Sequence, residues 1–155
     1  TVIMHVLALS RHVRTFAVAQ SAHEWTELDV ADVEGRTVGI VGLGNIGAEV
    51  ARLAQQFGMR AIGMRRTPQG DEPCETWSTD RLHELLPMLD VLVLTAPLTA
   101  DTLGMIGAEE LALLPAGAHV VNVGRRRTRA RRRLGVGSHR RCCTGRVRGR
   151  ATSGR

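Results

Sequence analysis

Three glycines in the stretch "GLGNIG" have the spacing G-x-G-x-x-G: Gly42, Gly44 and Gly47. They follow the apolar run "TVGIV", which is typical of a buried strand, and they open a segment with helical spacing. In that setting the first glycine permits a tight turn, the second lets the backbone approach a pyrophosphate, and the third lets helix and strand pack closely. The start of the helix, Asn45 and Ile46, offers free N–H groups to the phosphates. The spacing alone also fits a plain strand-to-helix turn, but its context favours a dinucleotide cofactor.

A second group of candidate binding residues, Arg65, Arg66 and Thr67, lies at the end of the next predicted strand, 18 residues beyond Gly47. Folds that bind NAD usually carry an Asp or Glu here, which accepts hydrogen bonds from the ribose hydroxyls. A guanidinium instead binds a 2′-phosphate, which a carboxylate would repel. The sequence therefore predicts an NAD(P) site that prefers NADP. The less favoured alternative is that these arginines belong to a solvated turn.

The elements that position these residues alternate between helix and strand. Apolar spacing and breaker residues predict four helices, at 1–20, 46–57, 78–89 and 107–114. Short apolar runs predict four strands, at 37–41, 59–64, 90–96 and 118–123. Gly58 is expected to end the second helix, and Pro87 is expected to kink or end the third. This alternation predicts an α/β fold with an incomplete, Rossmann-type, doubly wound parallel sheet.

Charge divides the chain sharply. Residues 1–124 carry eight arginines against fifteen acidic residues, a net charge of −7, whereas residues 125–155 carry thirteen arginines and no acid, a net charge of +13. A break of this kind usually marks a tail, and a tail of this composition cannot form a core. We therefore expect a helix and linker over 1–36, a partial NAD(P)-binding domain over 37–125 and a disordered basic tail over 126–155.

Other features bear on compartment and metal binding. Cys74, Cys142 and Cys143 lack the spacing of a disulfide framework or a zinc site, so no metal is expected. The apolar start "TVIMHVLAL" is too short to span a bilayer and lacks the basic start and cleavage site of a signal peptide. These features predict a cytoplasmic protein. A first residue of Thr1 rather than Met suggests a processed or truncated N-terminus.

Three stretches together resemble a known family. The segments "HVLAL", "TVGIVGLGNIGAEVARLAQQFGMRAIGMRRTP" and "DVLVLTAPLTADTLGMIGAEELALLPAGAHVVNVGR" look like the D-isomer-specific 2-hydroxyacid dehydrogenases. This family includes glyoxylate and hydroxypyruvate reductases, phosphoglycerate dehydrogenase and D-lactate dehydrogenase. The resemblance covers about residues 1–125, and its motifs are specific in combination. It implies an oxidoreductase that transfers hydride between a nicotinamide cofactor and a small 2-oxo or 2-hydroxy acid, and it implies a homodimer.

The resemblance also implies roles for individual residues. Six of them would line the cofactor: Thr95, Ala96, Pro97, Thr102, Val123 and Gly124. Arg125 matches the catalytic arginine that binds the substrate carboxylate and polarises the carbonyl, a task suited to a fixed charge with forked donors. The alternative is that Arg125 is merely the first residue of a basic tail.

The chain departs from the family pattern at Arg126. The family continues with a helix-forming acidic segment, then a Glu in a "DVFExEP" stretch and a His that act together as general acid and base. Neither is found here, and His139 lacks the expected neighbours, so the role is not carried to it. The family's N-terminal catalytic segment is also not found before Thr1. We therefore expect a cofactor-binding fragment that is inactive by itself.

Two readings of the arginine-rich tail remain. It could bind nucleic acid through its charge, but it has no aromatic residue for stacking and no recognisable binding motif. Alternatively, it is the product of a frameshift. Synonymous codons for residues 135–155 can be chosen so that the frame one base later reads "ASGHIGGAALDVFEGEPLR", which resembles the next segment of the family. Residues 126–134 yield no such reading. The frameshift is the preferred hypothesis, and the nucleic-acid-binding protein on a Rossmann scaffold is the alternative.

Overall fold

A computed structural model describes residues 1–124 of the chain, together with the backbone of residues 137–139 and 142–146. One sheet in these ranges contains the strands β1 Thr37–Val41, β2 Arg60–Arg65, β3 Glu75–Ser78, β4 Val91–Leu94, β5 His119–Asn122, β6 Gly137–His139 and β7 Cys142–Arg146. The strands are ordered β3-β2-β1-β4-β5-β7-β6. The first five in that order are parallel, and β7 and β6 are added in antiparallel orientation.

The central strand β4 is apolar along its whole length because helices cover both faces of the sheet. In β4, Leu92 packs in a cluster on one face and Val93 packs in a cluster on the other, as the two-residue alternation of a strand requires. The helices are α1 Val2–Ser10, α2 Val13–Ser21, α3 Asn45–Gln56, α4 Leu82–Leu85 and α5 Ala108–Leu113. Helices α1 and α3 contribute to one cluster, and α4 and α5 contribute to the other. The predicted α/β fold with a Rossmann-type parallel sheet is confirmed.

The four predicted strands are present as β1, β2, β4 and β5, with ends that differ from the prediction by no more than two residues. Helix α3 begins directly after Gly44, and the predicted stop at Gly58 is confirmed, since this residue has a φ of +72°. The backbone thus reverses at the one residue type that adopts this conformation without steric cost.

Two sequence predictions about the helices were wrong in detail. Residues 1–20 do not form one helix, because His12 adopts a left-handed φ of 51° between α1 and α2. The predicted helix over 78–89 is three short pieces: a 3₁₀ turn at Thr79–Arg81, then α4, then a second 3₁₀ turn at Leu86–Met88. Pro87 lies in that last turn, where its missing N–H and fixed φ prevent the α-helix from continuing.

Strand β3 was missed by the sequence analysis. It is an edge strand of four residues that pairs with β2 and is at most half-buried, so it lacks the apolar run by which the other strands were recognised. No single helix in the described ranges is long and apolar enough to cross a membrane. The pair α1 and α2 reaches the threshold only when joined across a 63° bend.

Two short segments of the arginine-rich tail extend the sheet. The backbone of Cys142–Arg146 pairs with β5, and that of Gly137–His139 pairs with Cys142–Arg146. The open edge of β5 offers hydrogen-bonding partners to a chain of almost any composition. The rest of 126–155 lies outside the described residues, as does Arg125.

Candidate functional site

The glycine loop between β1 and α3 is held tightly by its own packing at two positions. Gly42 has a φ of +100°, and a Cβ on it would lie 2.5 Å from the backbone of Ala96. A Cβ on Gly47 would lie 2.4 Å from the carbonyl oxygen of Gly42. Neither site can accept a side chain without backbone movement. These two glycines are therefore required by the turn itself and by the close approach of helix and strand.

Gly44 differs from both. Its φ is −90° and its ψ is −166°, an extended conformation open to any residue. A Cβ on Gly44 would meet no atom within 4 Å. Neither the turn nor the packing of the protein explains a glycine at this position. The open space beside Gly44, next to the N-terminus of the twelve-residue helix α3, fits a pyrophosphate that approaches the backbone closely.

The ends of β1, β4 and β5 meet beside this loop, as the carboxyl ends of parallel strands must. The Thr95 hydroxyl lies 2.6 Å from the Gly42 carbonyl oxygen, and the Ala96 N–H donates to the Val41 carbonyl at 3.0 Å. The N–H of Gly124 donates to the Leu94 carbonyl at 3.2 Å. Segments far apart in sequence thus form one edge of the sheet, the usual place for a ligand in an open α/β fold.

Several predicted site residues lie along this edge. The glycine loop supplies Gly42, Gly44, Asn45, Ile46 and Gly47, and the neighbouring strand ends supply Thr95, Ala96, Val123 and Gly124. The side chain of Ile46 is exposed.

The loop after β4 is shaped by Thr102. Its hydroxyl donates to the carbonyl oxygen of Pro97 at 2.6 Å and accepts a hydrogen bond from the backbone N–H of Thr99 at 2.8 Å. The hydroxyl is therefore occupied within the loop, and its role in the described structure is to fix the path from Pro97 to Thr102.

Arg65 is held in place by two neighbours after the end of β2. Its guanidinium donates to the amide oxygen of Gln69 at 3.0 Å and lies 3.3 Å from the carboxylate of Glu72. Glu72 also accepts the backbone N–H groups of Gln69 and Gly70, each at 2.7 Å. These hydrogen bonds hold the pKa of Glu72 below its ordinary value, and the bond from the Gln69 N–H has the largest effect.

Arg66 and Thr67, by contrast, are exposed. The Arg66 guanidinium pairs with Asp101, which lies on the loop after β4, and both side chains are more than half exposed. This ion pair joins the end of β2 to the loop after β4.

A cleft of about 320 Å³ runs between the glycine loop and the segment after β2. Three of its lining residues were predicted from the sequence: Gly44, Asn45 and Arg65. Other lining residues were not predicted, among them Arg52, Gln69 and Glu72. No spacing signal distinguishes Glu72 from Asp71 or Glu75. Only the turn at 69–72 brings it to Arg65. In residues 1–124, no group of three His, Cys, Asp or Glu side chains is placed to hold a metal ion.

Sequence comparison identifies the domain. The family model described as "D-isomer specific 2-hydroxyacid dehydrogenase, NAD binding domain" matches residues 3–134. The chain belongs to this family. The match extends nine residues past Arg125, where the sequence analysis had placed the departure from the family pattern. The described α/β domain is thus the NAD(P)-binding domain of a 2-hydroxyacid dehydrogenase.

Individual members of the family agree with this assignment. A glyoxylate reductase of Thermococcus gammatolerans is 45% identical over 96 residues, which cover 61% of this chain and 28% of that protein. An NADPH-dependent glyoxylate/hydroxypyruvate reductase from Sinorhizobium meliloti is 34% identical, with a TM-score of 0.68 over 74% of this chain and 45% of that one.

A third member was solved with a cofactor bound. The structure of a D-isomer specific 2-hydroxyacid dehydrogenase from Xanthobacter autotrophicus, in complex with NADPH and MES, is 33% identical, with a TM-score of 0.72 over 79% of this chain and 51% of that one. The chain spans about a third of the length of the curated relatives that it matches.

Proposed function

We propose that this chain is the cofactor-binding part of an NADP-preferring dehydrogenase that interconverts a small 2-oxo acid and its 2-hydroxy acid. The observation that carries the proposal is Gly44, a glycine that the fold does not need, beside open space at the start of α3. A bound dinucleotide accounts for it, since the pyrophosphate needs the volume that a side chain would fill. Glyoxylate and hydroxypyruvate are the substrate class named for several relatives.

The preference for NADP is supported by the charges at the end of β2. Arg65 and Arg66 follow that strand, and the sequence has no acid at 65–67 that would accept the ribose hydroxyls and repel a 2′-phosphate. We assign Thr67 to the same group, since its exposed hydroxyl follows directly. Of the similar solved structures, one is named as an NADPH-dependent reductase and another is a complex with NADPH, which supports the same assignment.

Residues of this chain can be assigned to binding the nicotinamide and the substrate carboxylate, but not to proton transfer. The nicotinamide, when bound, supplies the hydride. Val123 and Gly124 would line its face, and Arg125 would hold the substrate carboxylate through two parallel hydrogen bonds. None of residues 126–155 is acidic, so this chain offers no counterpart to the family's proton-transferring glutamate. We expect turnover of glyoxylate or hydroxypyruvate to be lower than that of a complete enzyme by about a hundredfold to ten-thousandfold.

Titration of the purified 155-residue chain with NADPH and with NADH tests the preference. We expect NADPH to bind at least roughly tenfold more tightly, because hydrogen bonds to charged groups contribute about 1.5–3 kcal/mol. Tighter binding of NADH would contradict the NADP assignment. Rapid NADPH oxidation with glyoxylate would contradict the expected loss of proton transfer.

We also propose that the arginine-rich segment after Arg125 is a frameshift product, on the strength of the family-like reading in the next frame. Sequencing the locus tests this directly. A single inserted or deleted base whose correction restores "DVFEGEP" supports the proposal, and an intact locus with no such sequence downstream contradicts it. The relatives named above are dehydrogenases and reductases, and none of them supports the alternative of nucleic-acid binding.

A further inference from the structure

We infer that Glu72 sets the cofactor preference of this site by holding and neutralising Arg65, so that Arg66 alone distinguishes a 2′-phosphate from a free hydroxyl. The inference deepens the proposed function and rests on the assignment of a dinucleotide to this cleft. It makes the two adjacent arginines unequal. Arg65 is a positioning residue, Arg66 is the residue that contacts the phosphate, and Glu72 is a specificity-determining residue that the cofactor itself need not touch.

The first step is the rigidity of Glu72. Its side chain is 6% exposed. Both carboxylate oxygens are used: one accepts the Gln69 N–H at 2.7 Å, the other accepts the Gly70 N–H at 2.7 Å, and the first also faces Arg65. Two backbone donors and a guanidinium converging on one site form an anion-binding turn, the arrangement that proteins use for phosphates. Here the turn is filled by the protein's own carboxylate.

The second step is the consequence for Arg65. Its guanidinium is already committed to Glu72 and to the amide oxygen of Gln69. Because Glu72 is anchored by the backbone, it cannot withdraw when a ligand arrives. A 2′-phosphate near Arg65 would therefore meet a positive and a negative charge at similar distance, and their effects on a dianion largely cancel.

The third step is the contrast with Arg66. Its side chain is 73% exposed and its partner Asp101 is 63% exposed, and within residues 1–124 no backbone N–H donates to the Asp101 carboxylate. Exposed ion pairs of this kind contribute little and exchange partners readily. Arg66 can therefore leave Asp101 for a 2′-phosphate, which offers more charge and more acceptor oxygens than a carboxylate does.

Substitutions by glutamine, which remove one charge each, separate the roles of Arg65, Arg66 and Glu72. The dissociation constants of NADPH and NADH are measured for the full chain. Glu72→Gln keeps an acceptor oxygen but removes the charge, so NADPH affinity should rise roughly two- to fivefold while NADH affinity stays unchanged. Glu75→Gln is the matched control. Glu75 pairs with Arg60 at 2.8 Å, at the amino end of β3, away from the cleft, and its substitution should change neither constant.

The double variant Arg65→Gln/Glu72→Gln is decisive, because it removes one charge of each sign. If Glu72 cancels Arg65, the ratio of NADPH affinity to NADH affinity in the double variant should stay within about twofold of the wild-type ratio. Arg66→Gln should lower that ratio of affinities roughly tenfold. If Arg65 itself reads the phosphate, the double variant will lose the preference as Arg66→Gln does, and the inference is overturned.

Two further measurements test whether Glu72→Gln acts by disturbing the turn at residues 69–72. Thermal melts report whether Glu72→Gln has disturbed residues 69–72, and Asp101→Asn tests Arg66 without touching that turn. Asp101→Asn should raise NADPH affinity, because it frees Arg66 from its ion pair. An unchanged NADPH affinity would count against Arg66 as the residue that contacts the 2′-phosphate. A wild-type preference for NADH would overturn the proposed NADP function but not the role of Glu72. That role predicts that Glu72→Gln raises the ratio of NADPH affinity to NADH affinity from any starting value.

Discussion

The hydroxyl of Thr95 lies 2.6 Å from the carbonyl oxygen of Gly42 and 3.1 Å from that of Val41. This contact adds a side-chain hydrogen bond to the backbone hydrogen bonds by which Thr95 and Ala96 join the end of β4 to Val41, beside the glycine loop. The same Gly42 carbonyl accepts the N–H of Gly44 at 3.0 Å, which orients the residue closest to the proposed pyrophosphate position.

Thr95→Val should therefore weaken both the fold and dinucleotide binding. The substitution preserves shape and removes the hydroxyl, and the net contribution of such a hydrogen bond to stability is about 0.5–1.5 kcal/mol. Thermal melts and NADPH titration measure the two effects. Thr95→Ser keeps the hydroxyl and is the control. Loss of affinity in the serine variant without loss in the valine variant would show that the methyl group, rather than the hydrogen bond, matters.

Gly42→Ala should destabilise the domain more than Gly35→Ala. Both residues have positive φ, +100° and +74°, so both substitutions incur backbone strain of about 1–3 kcal/mol. A Cβ on Gly35 meets nothing within 4 Å, whereas one on Gly42 lies 2.5 Å from the backbone of Ala96. Chemical denaturation of both variants separates strain from overlap. Equal losses would mean that the loop relaxes away from Ala96.

The stabilising effect of Glu72 should disappear in acid. Because the folded-state pKa of Glu72 is lowered, the ionised carboxylate stabilises the fold above its unfolded pKa of about 4.3. That contribution is lost as the pH falls through the lower, folded-state pKa. The difference in Tm between wild type and Glu72→Gln should thus be constant from pH 7 to pH 5 and shrink below about pH 4. A difference at pH 3 as large as that at pH 7 would show that the charge is not what stabilises the turn.

Any retention of DNA or RNA by this chain should come from the arginine tail. Residues 1–125 carry nine arginines against fifteen acids, a net charge of −6, which repels a phosphate backbone. Replacing the arginines of 126–133 by Gln, while leaving β6 and β7 intact, should reduce binding to duplex DNA and flatten its salt dependence. Binding that is unchanged at physiological salt would show that the folded domain itself contacts nucleic acid.

The sequence predicted those parts of the molecule in which local pattern and burial agree. β1, the glycine loop and α3 follow from an apolar run, three glycines and helical spacing, because each element is specified by its own residues. β3 was missed because its place depends on pairing with β2 and not on its composition. The break at His12 was missed because no glycine or proline marks it.

The candidate site divides in the same way. Arg65 and Arg66 are adjacent and chemically identical, so the sequence could not separate them. Their different roles arise from a turn that places Glu72 beside one of them and from a loop that places Asp101 beside the other. Contacts of this kind depend on tertiary geometry, which residue spacing does not encode.

The most direct test of a dinucleotide site is the comparison of Gly44→Val with Gly58→Ala, by NADPH titration and thermal melts on the full chain. Gly44 is extended and unobstructed, so valine should leave the Tm nearly unchanged and abolish NADPH binding by filling the pyrophosphate volume. Gly58 has a φ of +72°, so alanine should lower stability by about 1–3 kcal/mol and leave the NADPH affinity of the folded protein unchanged. Undiminished NADPH binding by Gly44→Val, or equal losses of affinity in both variants, would contradict the account.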